Sequence, residues 1–324
     1  MEPARVGIVV VNWNGAEQTA ECLRSLLALD HAERSTIVVV DNGSTDDSAR
    51  RLRADFATVD VLALPKNAGY AGGCNAGVRY VQQRGVQYVW LLNNDTSVES
   101  DALDALLDAA GRRPRTIFAP KILRRDADGA GTIWSVGGTL RRPWLGRTLR
   151  GEGAHPGDYP DSVEVPWASG CSLFAAAEVF DAAGLLDERY FMYLEDVDWC
   201  LGAYRRGIAT MFVPEARLWH GVSRSVRRLD PRIARYYDCR NYFLLAFRHG
   251  GVPGRLWAAG RYAVTALKIG VRVAVSPKHR RDSYYHAQTR ALWDALRGRW
   301  GKAPYDDAPV DARPRSAVHE AVAT

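Results

Sequence analysis

The sequence predicts an α/β fold with a mostly parallel sheet and a helical C-terminal extension. In the first 120 residues, continuous apolar runs alternate with amphipathic stretches, and polar residues follow the runs at their C-terminal ends. Such runs are typical of strands buried on both faces, because crossover helices cover both sides of a parallel sheet. Beyond residue 230 the pattern becomes helical. A chain of 324 residues is long enough for one large α/β domain with an appendage.

The elements follow in order along the chain. In the first half we predict strands at 6–12, 36–40, 59–63 and 86–92, with helices at about 15–29, 46–54 and 71–84. Gly, Pro and charged residues with a few short strands fill 121–167. A second half then contains predicted strands at 171–176 and 209–213 and helices at 177–183 and 196–206. The predicted division is an α/β domain at 1–230 (halves 1–120 and 121–230), a basic helical extension at 231–300 and a disordered tail at 301–324.

The composition is that of a globular protein, and the cysteines, the opening residues and the apolar runs indicate its cellular compartment. The five cysteines form no CxxC pair, which predicts a reduced, cytosolic chain without a disulfide framework or a zinc site. The opening residues lack the features of a secretory signal, and we expect no membrane-spanning segment because no apolar run reaches eighteen residues.

Charge is distributed unevenly. Residues 221–300 contain 17 Lys and Arg against 4 Asp and Glu, although the whole chain carries a net charge of only +6. This basic C-terminal region predicts an anionic surface as a partner, and no nucleic-acid recognition motif is present. The candidate helix at 255–275 has Arg261, Lys268 and Arg272 on one face. Two interpretations are open: the helix lies on anionic lipid, or it packs against the α/β domain.

The acidic segment at 191–207 is the strongest sign of chemistry. Glu195, Asp196 and Asp198 stand at the start of a predicted helix, directly after an aromatic run. A carboxylate in this position can act as a general base and take a proton from an incoming hydroxyl. Acidic residues also favour helix N-termini through capping and the helix dipole. That alternative explains one or two carboxylates better than three within four residues.

Polar residues at the predicted strand ends form the second candidate group. Asn12, Asn14 and Asp41 follow the first two strands, and Asn93-Asn94-Asp95 follows the fourth. Ligands of open α/β sheets bind outside the C-terminal ends of the strands. Asp95 could bind a hard divalent cation, and His220 after a later strand could add a nitrogen ligand. Ordinary turn and capping chemistry is the alternative for each residue taken alone.

The glycine-rich loop at 66–77 leads into the third predicted helix. Gly-rich backbone ahead of a helix N-terminus can approach a phosphate closely. Close packing of the helix on the sheet explains the glycines equally well.

Taken in order, the segments VVNWNG, VVVDNGSTDDS, NAGYAGGCNAG, LLNNDT and FMYLEDVDWC…LWH resemble the family 2 glycosyltransferases of the GT-A fold. The resemblance covers roughly residues 5–248. Within the family the chain is most similar to bacterial rhamnosyltransferase-like members, which share the later Tyr-Tyr-x-x-Arg-Asn, here 236–241. The resemblance implies a Rossmann-like, nucleotide-diphospho-sugar-binding half at 1–120 and an acceptor and catalytic half at 121–230.

The resemblance also implies roles for individual residues. Asp196 corresponds to the catalytic base, and Asp95 and His220 correspond to ligands of Mg²⁺ or Mn²⁺. On the acceptor side lie Trp167, Gly170, Cys171 and Glu195. The implied donor-binding residues are Asn12, Asn14, Asp41, Asn67, Gly69, Asn75, Asn93, Asn94 and Asp95.

The chain departs from the family pattern at two positions. Asn93 replaces the first Asp of Asp-x-Asp. Gly202 stands where the family often has Arg, and Arg205 or Arg206 is the candidate replacement.

The implied activity is inverting, metal-dependent transfer of a sugar to a hydroxyl of a lipid-linked or cell-envelope saccharide. The donor would be a nucleotide-diphosphate sugar, dTDP-rhamnose by resemblance, and the acceptor a saccharide or a polyprenyl-linked saccharide. The enzyme would be cytoplasmic and peripheral on the inner face of the cell membrane. The alternatives are a catalytically dead, membrane-associated sugar-nucleotide-binding module and a sugar nucleotidyltransferase, although the Gly-rich loop typical of the latter is absent after the first strand. The sequence leaves open whether the chain forms a homo-oligomer.

Overall fold

The computed structural model of the chain describes residues 5–125, 131–141, 145–221, 231–275 and 283–303. Of the predicted tail at 301–324, residues 304–324 lie outside the described residues.

The first half has the predicted alternation of strands and helices. Its elements are β1 (Val6–Asn12), α1 (Ala16–Leu27), β2 (Ser35–Asp41), α2 (Ser48–Asp55), β3 (Asp60–Ala63), α3 (Gly69–Gln82) and β4 (Tyr88–Asn93). Strand β1 pairs in parallel with both β2 and β4, and β2 pairs in parallel with β3. The C-terminal ends of β1, β2 and β4 therefore meet at one edge of the sheet.

The second half extends the same sheet. Its elements are β5 (Thr96–Val98), α4 (Ala102–Arg112), β6 (Ile117–Arg125), β7 (Gly131–Ser135), β8 (Gly138–Arg141), β9 (Gly146–Leu149), β10 (Ser172–Ala176), α5 (Ala177–Ala183), α6 (Glu195–Tyr204) and β11 (Thr210–His220). The strand order is β3-β2-β1-β4-β10-β6-β11-β5, with β7 beside β6, while β8 and β9 form a separate hairpin. Strand β10 runs antiparallel between β4 and β6, so the sheet is mixed at its centre.

The core lies on both faces of this sheet, as the continuous apolar strands predict. Val9 and Val11 of β1 belong to one buried cluster, while Ile8 and Val10 belong to the other. Because side chains alternate between the faces of a strand, a strand buried on both sides needs an apolar residue at every position.

Among the described residues after the sheet, the chain forms α7 (Pro231–His249), α8 (Gly251–Val275) and α9 (Ser283–Leu296). Tyr236 and Tyr237 of α7 form a third buried cluster with Phe191 and with alanines of α9. The first of these helices therefore packs against the acidic segment of the α/β domain. No helix in the described part of the chain has both the length and the apolar character needed to cross a bilayer.

Candidate active site

The ends of β1, β2 and β4 carry a buried network of polar side chains. The Asn12 amide donates to Asp41 Oδ1 (2.8 Å) and, at 3.3 Å, to Ser44 Oγ. Ser44 Oγ also donates to Asp41 Oδ1 at 2.6 Å. Thr19 Oγ1 donates to Asn12 Oδ1 at 2.8 Å, and the Asn94 amide donates to Thr19 Oγ1 at 3.0 Å. The structure thus brings Asn12, Asp41 and Asn94 together and holds their rotamers.

Asn14 joins this group from the loop after β1. It adopts a left-handed conformation with φ 51°, which Asn tolerates better than most residues. Its backbone N–H donates to Ser44 Oγ (2.9 Å), and its side-chain oxygen accepts from the Thr45 backbone N–H (2.8 Å). The loops after β1 and β2 are therefore joined at the sheet edge.

The glycine-rich loop forms a turn at Asn67 and Gly69, packs closely on the sheet and approaches the second half of the chain at Phe191. Asn67 Oδ1 accepts from the Gly69 backbone N–H at 2.8 Å. Gly69 has φ +78°, and a Cβ there would lie 2.4 Å from the carbonyl oxygen of Phe191. Gly77 is required by packing, since a Cβ would lie 2.2 Å from Val9 Cγ1. Part of the glycine pattern is therefore explained by close helix–sheet packing.

Asn75 lies deeper in α3 than the loop residues. Its amide nitrogen donates to the Leu186 carbonyl and to Glu188 Oε1, both at 2.9 Å, and its oxygen accepts from the Leu186 N–H at 3.0 Å. These bonds hold the segment that leads into the acidic segment.

Asp95 and His220 lie next to each other at the same edge of the sheet. His220 Nε2 is 3.2 Å from Asp95 Oδ1, and the two side chains are only 9% and 4% exposed. Strand pairing places them there, since β11 runs antiparallel to β5 with His220 opposite Thr96. Burial alone would lower the pKa of His220, but the adjacent Cys171 and the Asp95 carboxylate outweigh it and raise that pKa to about 10.

The acidic segment enters α6 through a strained turn. Phe191, Tyr193 and Leu194 all have positive φ values, of 65°, 66° and 73°. For residues with a Cβ this conformation costs on the order of 1–3 kcal/mol each and persists only where surrounding contacts enforce it. The turn delivers Glu195 and Asp196 to the first turn of α6.

Two buried residues of α7 enforce that turn. The Asn241 amide donates to the carbonyl oxygens of Tyr190 (2.9 Å), Met192 (2.8 Å) and Tyr193 (2.8 Å). The Arg240 guanidinium donates to the Tyr190 carbonyl at 3.0 Å and to Asn241 Oδ1 at 2.9 Å. Both side chains belong to residues with 0% exposure. The shared Tyr-Tyr-x-x-Arg-Asn segment therefore supports the acidic segment from outside the sheet.

Asp196 is half-buried and held by backbone donors. Its Oδ2 accepts from the Gly170 N–H and its Oδ1 from the Val197 N–H, each at 2.7 Å. The Tyr70 hydroxyl of α3 donates a hydrogen bond to the Gly170 carbonyl, so Gly170 is also held from the donor half. Burial raises the pKa of Asp196 above 3.8 despite these hydrogen bonds. A raised carboxylate pKa is suited to a general base that works near neutral pH.

Glu195 is buried more deeply than its neighbour. It is 5% exposed, and its Oε2 has no hydrogen-bond partner among the described residues. Burial, followed by the charge of Asp196, raises the pKa of Glu195 well above 4.5.

Asp198 has a different role from the two carboxylates before it. Its Oδ1 lies 2.7 Å from His249 Nε2 and 2.8 Å from Arg248 Nε, and it accepts from the Tyr190 hydroxyl at 3.0 Å. It therefore ties α6 to the end of α7. Of the three carboxylates, only Glu195 and Asp196 remain as candidates for chemistry.

The remaining acceptor-side candidates lie on two sides of Gly170. Trp167 packs in the core over Gly138 and donates its indole N–H to the Thr139 carbonyl at 3.2 Å. The buried Cys171 accepts the Asn93 N–H at its carbonyl (3.0 Å), and its thiol lies beside His220. The Gly170–Cys171 dipeptide therefore touches Asp196 on one side and the Asp95–His220 pair on the other.

Arg205 and Arg206 bond to nearby main-chain carbonyls, those of Arg248 and Gly202, each at 3.0 Å. A different arginine acts on the base: Arg147 of β9 lowers the pKa of Asp196 electrostatically, against the larger effect of burial. It also pairs with Asp238 of α7.

Several residues that build the site carry no distinctive pattern in the sequence. Ser44 and Thr19 complete the network around Asn12, and Tyr70 bridges to Gly170. Arg240 and Asn241 belong to a segment that the resemblance singled out without a role. Only their repeated occurrence in relatives could have marked them, because their contacts lie about 50 residues away in the chain.

Comparison with known proteins places the chain among sugar transferases. The family model described as "Glycosyl transferase family 2" matches residues 7–179. The chain is 31% identical over 270 residues to an N-acetylglucosaminyl-diphospho-decaprenol L-rhamnosyltransferase of Mycobacterium tuberculosis, covering 75% of this chain and 85% of that protein. It is 26% identical over 305 residues to the dTDP-rhamnosyl transferase RfbF of Shigella flexneri, covering 92% and 97%.

Solved structures support the fold. A mannosyltransferase from Pyrobaculum calidifontis, in complex with GDP-Man and Mn²⁺, superposes with a TM-score of 0.53 at 15% identity, covering 90% of this chain and 87% of that chain. The predicted GT-A-type α/β fold with a helical C-terminal region is confirmed.

Proposed function

Because the chain belongs to glycosyl transferase family 2, we propose that it transfers rhamnose from dTDP-rhamnose to a hydroxyl of a lipid-linked saccharide, with inversion at the anomeric carbon. That it is a glycosyltransferase follows from the family and the relatives, and the nucleotidyltransferase alternative is set aside. The observation that carries the mechanism is the Gly170–Cys171 dipeptide, which joins the candidate base Asp196 to the Asp95–His220 pair.

Asp95 and His220 fit a divalent cation such as Mg²⁺ or Mn²⁺. A carboxylate oxygen and an imidazole nitrogen already face each other at 3.2 Å in a nearly buried position. No group of three or more His, Cys, Asp or Glu that could hold a metal ion occurs in the described ranges. Two protein ligands suit a cation that takes its other ligands from water and substrate phosphates. When bound there, the cation would offset the negative charge of the diphosphate.

The donor would lie along the ends of β1, β2 and β4. Asp41 would accept a hydrogen bond from the base, and its rotamer is held by Asn12 and Ser44. Asn14, Asn67 and Asn94 lie in the loops beside these strand ends, Asn93 ends β4 and Gly69 begins α3. Because the side chains of Asn12, Asp41 and Asn94 already belong to one hydrogen-bond network, little of their rotamer entropy remains to be lost on binding.

The chemical step would use Asp196 as the base. Asp196 takes the proton of the acceptor hydroxyl, and the hydroxyl oxygen forms a bond to the anomeric carbon of the donor. The bond from that carbon to the diphosphate oxygen breaks, and its electron pair leaves with the diphosphate. Attack and departure on opposite faces of the sugar invert the configuration in one step. Glu195, buried beside Asp196, would lie on the acceptor side.

The relatives suggest the substrates and the setting. The names of both describe rhamnosyl transfer, and one names a diphospho-decaprenol acceptor. A polyprenyl-linked acceptor would be met at the cytoplasmic face of the cell membrane, so the proposal includes peripheral attachment there.

The experiment that tests the proposal is a thermal-shift panel on the full chain. dTDP-rhamnose, a UDP-sugar and GDP-mannose are each added with and without Mn²⁺ or Mg²⁺. We expect metal-dependent stabilisation by dTDP-rhamnose, of about 2.7 kcal/mol at a hundredfold excess over Kd. In Asp95→Asn the metal dependence should disappear.

A panel without any donor-dependent shift would overturn the proposal. Binding of dTDP-rhamnose without slow hydrolysis of the donor and without transfer would indicate a dead binding module instead. Stabilisation by a different donor would keep the enzyme class and correct the sugar.

A further inference from the structure

Helix α8 is apolar on two opposite faces. One face packs on the rest of the protein through Ala258, Tyr262 and Ile269, which are 0–7% exposed. The Tyr262 ring also packs at a tilt of 45° against Phe243 of α7, with ring centroids 4.8 Å apart. Ala258, Tyr262 and Ile269 form a packed line that accounts for one apolar face and brings the helix into contact with the rest of the molecule.

The opposite face is also apolar although it points outward. Its side chains are between 51% and 74% exposed: Val252, Leu256, Trp257, Val264, Leu267, Val271 and Val275. At about 100° per residue, most of them form a stripe that follows the helix opposite the packed line. Large contiguous apolar patches on a protein surface usually mark an interaction site.

Basic residues border this stripe. Arg261, Lys268 and Arg272 fall along one side of it, and Arg255 lies on the other. No acidic residue occurs in Gly251–Val275. A helix with a broad apolar stripe and cationic borders has the design of an interfacial helix, which buries its apolar face at the headgroup boundary and attracts anionic lipids.

We propose that the outward face of α8, from Val252 to Val275, docks the enzyme onto an anionic lipid bilayer. The helix would lie in the plane of the surface, because its exposed apolar stripe runs along the length of the helix. A second copy of the chain fits less well, because two such faces would bring together basic residues without any acidic counterpart from α8. The inference deepens the proposed function, since a polyprenyl-linked acceptor is presented at such a surface.

The docking face is structurally connected to the acidic segment. Phe243, against which Tyr262 packs, lies two residues after Asn241, whose amide holds the turn before α6. One helix, α7, therefore joins the proposed membrane surface to the catalytic half.

The test is co-sedimentation of the full chain with vesicles of phosphatidylcholine alone and of phosphatidylcholine with phosphatidylglycerol, without donor or acceptor. We expect binding that is stronger on the anionic vesicles and weakened by salt. Leu256→Glu and Leu267→Glu should each lower the partition coefficient about tenfold, because each removes a leucine that the bilayer interface would bury. Leu27→Glu, at an exposed leucine of α1, is the matched control and should bind like the wild type.

Charge is tested separately with Lys268→Gln and Arg272→Gln, which should lower binding about fivefold each on anionic vesicles only. Arg50→Gln on α2 is the control. Absence of vesicle binding by the folded wild type would overturn the proposal, as would a dimer in sedimentation velocity that Leu267→Glu dissociates. Failure of the proposed function would show in the donor thermal-shift panel instead, which needs no lipid.

Discussion

The two halves of the candidate site are built in different ways. In the donor half, Asn12, Asp41 and Asn94 lie at the ends of adjacent parallel strands and, with Ser44 and Thr19, satisfy one another's hydrogen bonds. In the catalytic half, three left-handed residues precede α6, and a buried Glu195 oxygen lacks a partner in the described part of the chain.

The support for the two halves differs as well. The donor network is closed within the first 94 residues. The catalytic turn is held by Arg240 and Asn241, which lie beyond the 7–179 segment matched by the family model. The Asn12–Asp41–Asn94 network is therefore held within the first half of the chain, whereas the geometry of the base depends on a helix outside the sheet.

The largest expected effect separates chemistry from donor binding. Asp196→Asn removes the base and should lower kcat about 10²–10⁴-fold, while the Kd of the donor stays unchanged. In the wild type, kcat should fall as pH decreases through the raised pKa of Asp196, at a higher pH than an ordinary aspartate near 3.8 would give. Steady-state rates measured across pH give kcat, and titrations with the donor give its Kd.

The matched control is Asp198→Asn in the same helix. Asp198 ties α6 to Arg248 and His249, so this change should lower the melting temperature without a comparable loss of kcat in the folded fraction. Full turnover by Asp196→Asn would refute the assignment of the base.

The next prediction tests the support that Asn241 of α7 gives to the turn before α6. Asn241→Leu removes the side-chain donor from the Met192 and Tyr193 carbonyls, while the Tyr190 carbonyl keeps the Arg240 guanidinium. This loss should destabilise the fold by about 1–3 kcal/mol. Displacement of the base should lower kcat up to about 10²-fold. The Kd of the donor should not change, because the donor network does not contact Asn241.

Asp41→Asn should give the opposite pattern, with weaker donor binding and kcat at saturation near the wild-type value. If Asn241→Leu weakened donor binding and left kcat intact, the two halves would not be supported separately.

The smallest expected effect is on the pH dependence of stability, through the buried Glu195. Burial raises the pKa of Glu195, so the stability that this shift contributes is present at low pH and is lost as pH rises through the raised pKa. Glu195→Gln removes the titrating carboxyl group and should raise the free energy of unfolding at neutral pH by about 1–3 kcal/mol. Thermal melts from pH 4.5 upward should show a flatter pH dependence for the variant. An unchanged slope would mean that Glu195 is not the titrating group.

Much of the fold was predictable because its signals are local. The apolar runs of β1, β2 and β4 and the polar residues at their ends were identified from sequence, and the structure brings Asn12, Asp41 and Asn94 together. The antiparallel direction of β10 was not predicted, since strand direction leaves no trace in an apolar run. For the 255–275 helix, the outward stripe could be distinguished only after the packed line of Ala258, Tyr262 and Ile269 was known.

The sequence by itself determined which residue types stand at the strand ends and at the start of α6, because hydrophobic periodicity and helix-start chemistry act over a few residues. Only the tertiary structure decided that Asp198 ties two helices together, that Tyr70 and Gly170 position Asp196, and that Asn241 holds the turn before it. Those contacts join residues 26 to 100 positions apart in the chain, and the strained turn survives only because distant donors hold its carbonyls.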